Sequence, residues 1–111
     1  MAETLLVTGA TGFLGRHLLP ALCRHGIAVR ALVRDPEAHL GLWRYPNVTP
    51  VQGNVLDLVS LRRALEGVDA VIHAAGRFRF WGRDADFIPV NVEGTRHVMR
   101  AALAAGARRV V

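Results

Sequence analysis

Three glycines at positions 9, 12 and 15, in the stretch TGATGFLG, follow directly on the apolar run Leu5-Leu6-Val7. Glycine is costly to order, so this spacing marks a backbone that must turn tightly or come close to something. A short strand, a glycine turn and a helix in succession make an anion site. The first N–H groups of a helix lack intrahelical acceptors, and the helix dipole places partial positive charge at that end. In such a turn Gly9 permits the sharp bend, Gly12 leaves room for a pyrophosphate against the backbone, and Gly15 lets the helix lie close to the sheet. Thr11 belongs to the same turn, and the amides around Gly12, Phe13 and Leu14 are expected to face phosphate. A kinase-type phosphate loop is excluded, because it needs a lysine and all 14 basic residues are arginine.

A dinucleotide held there would have its adenosine ribose read near the end of the second strand, about 20 residues past the turn. An acidic residue at that point favours NAD. Here Val33 is followed by Arg34, whose guanidinium suits a 2′-phosphate through paired charged hydrogen bonds. The expected cofactor is therefore NADP, while Asp35 keeps a ribose contact, and so NAD, open. The stretch RFRFWGRD, Arg77 to Asp84, interleaves arginines with aromatics, a pattern also found on nucleic-acid stacking surfaces. It follows a strand end, however, where doubly wound sheets bind small ligands, and the remaining arginines are scattered despite a net charge of +5. No nucleic-acid partner and no metal site are expected.

The elements that must position these residues alternate along the chain. Strands are expected over Thr4–Thr8, Ile27–Val33, Val48–Gln52 and Ala70–Ala75, with a further one starting at RRVV. Pro50 places the third strand near a sheet edge. Helices are expected over Phe13–Arg24, with Leu14, Leu18 and Leu22 on one face and a bend at Pro20. Others are expected over Leu58–Leu65, capped by Asp57, and from beyond Arg83 to Ala105; Glu37–Tyr45 is weakly helical or irregular. Connections this long between strands require parallel pairing, so the fold class is α/β, a Rossmann-like doubly wound parallel sheet left incomplete at its C-terminal end. One domain fills residues 1–111. No apolar run reaches a membrane span and no signal peptide is seen. A single cysteine, Cys23, reads as a small apolar helix residue and fits a cytoplasmic setting.

Four motifs in order, TGATGFLG, VRALVRDP (29–36), GVDAVIHAAG (67–76) and NVEGT (91–95), resemble the extended short-chain dehydrogenase/reductase family. That family includes sugar epimerases and dihydroflavonol-reductase-like enzymes, and VRALVRDP and RFRFWG are closest to the latter, generally NADP-linked branch. The resemblance covers essentially the whole chain and implies an NAD(P)-dependent oxidoreductase or epimerase/dehydratase acting on a carbonyl or alcohol. It places Gly9, Gly12, Gly15, Phe13 and Leu14 at the pyrophosphate and Arg34 near the adenosine phosphate. Gly53-Asn54-Val55 falls at the adenine pocket, where the family often carries Asp in place of Asn54. Ala74, Ala75 and Gly76 lie beneath the cofactor ribose, RFRFWGRD on the substrate side, and Asn91 in a proton-relay arrangement. His73 reads as a packed strand histidine rather than a catalyst.

The family's acid/base pair is a tyrosine with a lysine four residues later, the cation lowering the tyrosine pKa. Here the only tyrosine, Tyr45, is followed at that distance by Thr49. The pair is expected beyond Val111, making this the cofactor-binding portion of a longer enzyme; the alternative is a non-catalytic, redox-sensing regulator of the same fold. The sequence predicts that the 111-residue chain alone turns over no carbonyl substrate. Steady NADPH oxidation with any member of a carbonyl panel would contradict that.

Overall fold

The computed structural model describes residues 3–76 and 88–111; the RFRFWGRD stretch lies outside the described residues. In chain order the elements are β1 (Thr4–Thr8), α1 (Phe13–Arg24), β2 (Ala28–Val33), a 3₁₀ helix (Pro36–Arg44), β3 (Val48–Gln52), α2 (Leu58–Ala64) and β4 (Ala70–His73). A π-helical turn (Pro89–Gly94) then leads into α3 (Thr95–Ala105), and β5 (Arg109–Val110) follows. The strands form one sheet in the order β3-β2-β1-β4-β5, and every pairing is parallel. β1 lies between β2 and β4, so the chain reverses its direction of winding there. Ligands of open α/β sheets bind at such a reversal, outside the carboxyl ends of the strands.

Alternation along the strands feeds two cores. Leu5 and Val7 of β1 and Val29, Ala31 and Val33 of β2 pack with Leu19 and Leu22 of α1 on one face. Leu6, Leu32 and Val71 pack on the other face with Leu61 and Leu65 at α2 and Val98, Ala101 and Ala102 of α3. Burial on both faces explains why AVIH reads as a nearly continuous apolar run. Arg30 reaches across the second face and donates to the Ala64 carbonyl at 2.9 Å, at the C-terminal end of α2.

Several boundaries shift for physical reasons. The buried face of α1 is Gly15, Leu19 and Leu22, not Leu14, Leu18 and Leu22; Leu14 is 59% exposed. The helix is turned so that Gly15, with Leu19 and Leu22, meets the sheet and Leu14 does not. β4 ends at His73; beyond it the Ala74 amide still bonds to the Thr8 carbonyl at 3.2 Å, and the Ala75 amide turns back to the Thr8 hydroxyl at 3.1 Å. Ile27 precedes β2, its amide held by the Leu22 carbonyl at the end of α1. Pro50 lies in β3, an edge strand of this sheet, where it interrupts no inner ladder. Pro20 sits inside α1, which runs on to Arg24.

The helix–sheet approach is set by two glycines. Gly9 has φ of +69°, and a Cβ there would lie 2.6 Å from the Ala74 carbonyl carbon. A Cβ on Gly15 would lie 2.4 Å from the Gly9 oxygen and 2.5 Å from the Ala10 oxygen, backbone atoms that cannot swing aside. Gly15→Ala is therefore expected to lower stability by about 1–3 kcal/mol, the usual range for overpacking. Chemical denaturation checks this; a midpoint equal to wild type contradicts it.

Candidate functional site

At the carboxyl ends of the strands an open cleft of about 610 Å³ runs between the glycine turn and the segments that follow β2, β3 and β4. The turn contributes Gly9, Thr11 and Gly12, the end of β2 contributes Leu32 to Asp35, the segment after β3 contributes Gly53 to Leu56, and the end of β4 contributes Ala74, Ala75 and Gly76. Residues far apart in sequence that were expected at one cofactor are thus brought to one cavity: Gly9, Thr11, Gly12, Arg34, Asn54, Val55, Ala74, Ala75 and Gly76.

The turn itself needs one correction. The Gly12 amide donates to the Gly9 carbonyl at 3.0 Å, so it closes the turn and is not offered to a ligand. Gly12 is the N-cap of α1, and no side chain caps that end. The amides of Phe13 and Leu14, the first two helical residues, have no carbonyl one turn back inside the helix. Their side chains point away from the cleft: Phe13 is 75% exposed and packs edge-on against His17, with ring centroids 4.8 Å apart. Gly15 does not line the cleft; buried under the turn, it sets the distance between helix and sheet.

The wall after β3 is pinned from two sides. Ser60 of α2 accepts from the Asn54 amide at 3.0 Å and donates to the Asp57 carbonyl at 2.8 Å. His97 of α3 donates through Nδ1 to the Val55 carbonyl at 2.8 Å. Asn54 Oδ1 accepts the Leu56 amide at 2.9 Å, so the side chain's NH₂ is the donor left for a ligand. Asp57 caps α2, accepting the Val59 and Ser60 amides at 3.1 and 3.3 Å. Asp35 likewise accepts the Glu37 amide at 3.1 Å, closing the entry to the 3₁₀ helix. Beside this wall a smaller recess of about 370 Å³ shares Arg34, Gly53 and Asn54 with the cleft and adds Gln52, Asp57, Ser60 and Arg63. Arg34 and Arg63 form no hydrogen bond or ion pair with the described residues.

Asn91 sits in the π-helical turn, and its Oδ1 is 3.3 Å from where a Cβ on Gly76 would be. It therefore stands beside the last cleft residue of the β4 end rather than on the cleft wall itself. His73, at the end of β4, bonds through Nδ1 to the Thr8 hydroxyl at 2.7 Å and through Nε2 to the Thr95 hydroxyl at 3.0 Å. Burial pushes its pKa below the ordinary histidine value. It is a packed histidine, as expected, but one joined at both ring nitrogens.

Leu32, Leu56 and Val90 line the cleft without having been singled out in the sequence. All but Val90 follow from their place at the carboxyl end of a strand. Ser60 and His97 carry no local mark, because each acts through a backbone group brought near only by the fold.

Residues 9–111 match a family described as NAD(P)H-binding. The chain is 40% identical over 105 residues, 95% of its length and 31% of the relative's, to a 4-hydroxy-2-methyl-3-oxo-4-farnesyl-3,4-dihydroquinoline-1-oxide ketoreductase of Stigmatella aurantiaca. It is 39% identical over 115 residues, 98% of this chain and 33% of the relative, to cinnamoyl-CoA reductase 1 of Oryza sativa subsp. japonica. It also matches, with a TM-score of 0.79 and 36% identity over 97% of this chain and 31% of the other, a short-chain dehydrogenase/reductase superfamily protein from Agrobacterium tumefaciens with bound NAD. Parallel sheet, glycine turn and cleft together define an NAD(P)-binding domain of Rossmann type. Within that class, the chain belongs to the extended short-chain dehydrogenase/reductase family, and it spans about a third of the length of the curated relatives it matches.

Because Asp57 acts as a cap, Asp57→Ala is expected to cost about 1 kcal/mol while Asp57→Asn costs little, since either residue serves at an N-cap. Equal losses in thermal or chemical denaturation would show that the charge, not the cap, matters.

Proposed function

We propose that these residues form the nucleotide-binding portion of an NADP(H)-dependent oxidoreductase or related epimerase/dehydratase that acts on a small carbonyl or alcohol substrate in the cytoplasm. The observation that carries the reading is the cleft at the strand reversal, with two helix amides at one end and an arginine at the other that have no partner among the described residues. The fit to a dinucleotide rests on shape as well as charge. The backbone approach at Gly9 and Gly15 leaves no room for side chains there, so the turn would offer the Phe13 and Leu14 amides to the pyrophosphate, with Thr11 on the same wall. Arg34, at the end of β2, would hold the adenosine phosphate. Asn54 and Val55 would border the adenine, and Ala74, Ala75 and Gly76 the ribose. When bound, the nicotinamide supplies or accepts a hydride. Asn91, next to Gly76, would serve as the relay residue that helps move the matching proton. The Tyr-x-x-x-Lys pair is absent from this chain, which contains no lysine.

NADP is favoured over NAD because the recess beside the cleft places Arg63 and Arg34 on a common space, with the Ser60 hydroxyl on the same wall. A dianionic 2′-phosphate there would gain charge-assisted hydrogen bonds from both guanidiniums, which have no partner among the described residues. Asp35 lines the cleft too, and one of its carboxylate oxygens accepts the Glu37 amide at the start of the 3₁₀ helix. Wild type is expected to bind NADPH more tightly than NADH. Arg34→Ala should weaken NADPH roughly 10- to 100-fold, the range for a lost charged hydrogen bond, and leave NADH nearly unchanged; Arg63→Ala should do the same to a smaller degree. Titration calorimetry decides, and NADH binding equal to or tighter than NADPH sinks the NADP assignment.

A further inference from the structure

We infer that His73 is a positioning residue: fixed as a neutral Nε2–H tautomer between Thr8 and Thr95, it clamps the cleft floor at Ala75 to the turn that carries Asn91. The role rests on the nucleotide-binding reading above. The tautomer follows from hydrogen-bond roles that leave no choice at either end of the chain of contacts.

At one end, the Asn91 backbone carbonyl can only accept, so the Thr95 hydroxyl hydrogen is committed to it at 2.8 Å. The Thr95 oxygen is then the acceptor in its 3.0 Å contact with His73, and Nε2 must carry the hydrogen. At the other end, the Ala75 amide can only donate, and it donates to the Thr8 oxygen at 3.1 Å. The Thr8 hydroxyl hydrogen is left to point at a bare Nδ1, 2.7 Å away. In this one arrangement every hydrogen has an acceptor. A proton added at Nδ1 would face the Thr8 hydroxyl hydrogen, which would have to turn away and lose its partner. An unmatched polar group in a half-buried place is costly.

Among the described residues no charge is placed to offset that cost. The ring is packed by Thr8 of β1 and Thr95 of α3, and the His73 backbone amide by the Val111 carbonyl. Among the charged and titratable groups on those elements, Glu93 and Arg96 pair with each other at the surface, Arg108 pairs with Glu3, and the His97 ring is held by the Val55 carbonyl. Arg100 and Arg109 are exposed. Burial lowers the His73 pKa, and no charge among the described residues raises it. The two ends of the network are the two places the cofactor reading needs fixed. Ala75 lines the cleft, and the Asn91 side chain stands over Gly76. π-helical turns are frequent at functional sites.

The test uses the whole protein and NADPH as the probe. Long-range ¹H–¹⁵N spectra at pH 7.5 should show His73 protonated at Nε2 only. Thr8→Val and Thr95→Val should each weaken NADPH about fivefold to tenfold, and Thr8→Ser and Thr95→Ser should stay within about threefold of wild type. As pH falls below about 6.5, the unperturbed histidine value, the wild type should lose affinity through a step that His73→Gln lacks. An Nδ1–H tautomer, or valine variants with wild-type affinity and pH profile, would overturn the role of His73 alone. If a valine variant fails to fold, the wild-type tautomer and the missing pH step in His73→Gln decide. A wild type that binds neither NADPH nor NADH overturns the nucleotide reading, and the role of His73 with it.

Discussion

Everything in this structure depends on how closely the backbone can approach itself at the end of β1. Gly9 lies against the Ala74–Ala75 peptide and Gly15 against the Gly9 and Ala10 carbonyls, both at distances that exclude a Cβ. That contact fixes where α1 begins relative to the sheet, and hence where its unpaired amides point. It also explains why α1 turns a glycine toward the sheet and leaves Leu14 in solvent. A looser turn would still fold into a strand and a helix, but the amides and the end of β4 would not face the same cavity.

Around that contact the fold places rigid supports behind each wall of the cleft. Two apolar layers hold the sheet from both faces. The segment after β3 is held by α2 through Ser60 and by α3 through His97. The end of β4 is held by β1 through Thr8 and by α3 through His73 and Thr95. α3 thus touches two walls of a site to which it contributes little surface. This division is a common solution for binding sites, with ligand-facing atoms on loops and turns and their positions fixed by packed elements behind.

Much of this was legible in the sequence because local rules and tertiary structure agree there. The strand–glycine turn–helix order, the apolar run at AVIH, Pro50 at a sheet edge and the Asp57 cap each follow from a constraint acting within a few residues. What was not legible depends on partners distant in sequence. The rotation of α1 is decided by the carbonyls under Gly15, which outrank the leucine spacing. The Gly12 amide is taken by Gly9 in a turn whose geometry no spacing rule records. Past the early end of β4 the Ala75 amide is held by a threonine hydroxyl 67 residues away. His97 finds the Val55 carbonyl across 42 residues, and the π-helical turn before α3 leaves no mark in the apolar pattern. His73 was correctly read as packed, yet its two threonine partners are visible only in three dimensions.

The central claim is that one dinucleotide lies along the cleft, its pyrophosphate at the start of α1 and its adenosine end at Arg34. Amide chemical-shift mapping during titration with NADPH tests it most directly. The account predicts the largest shifts at Phe13 and Leu14, with further ones at Arg34, Asn54 and Ala75, and little change along the outer face of α3. Saturable binding that leaves Phe13 and Leu14 unmoved while shifting residues elsewhere would contradict it.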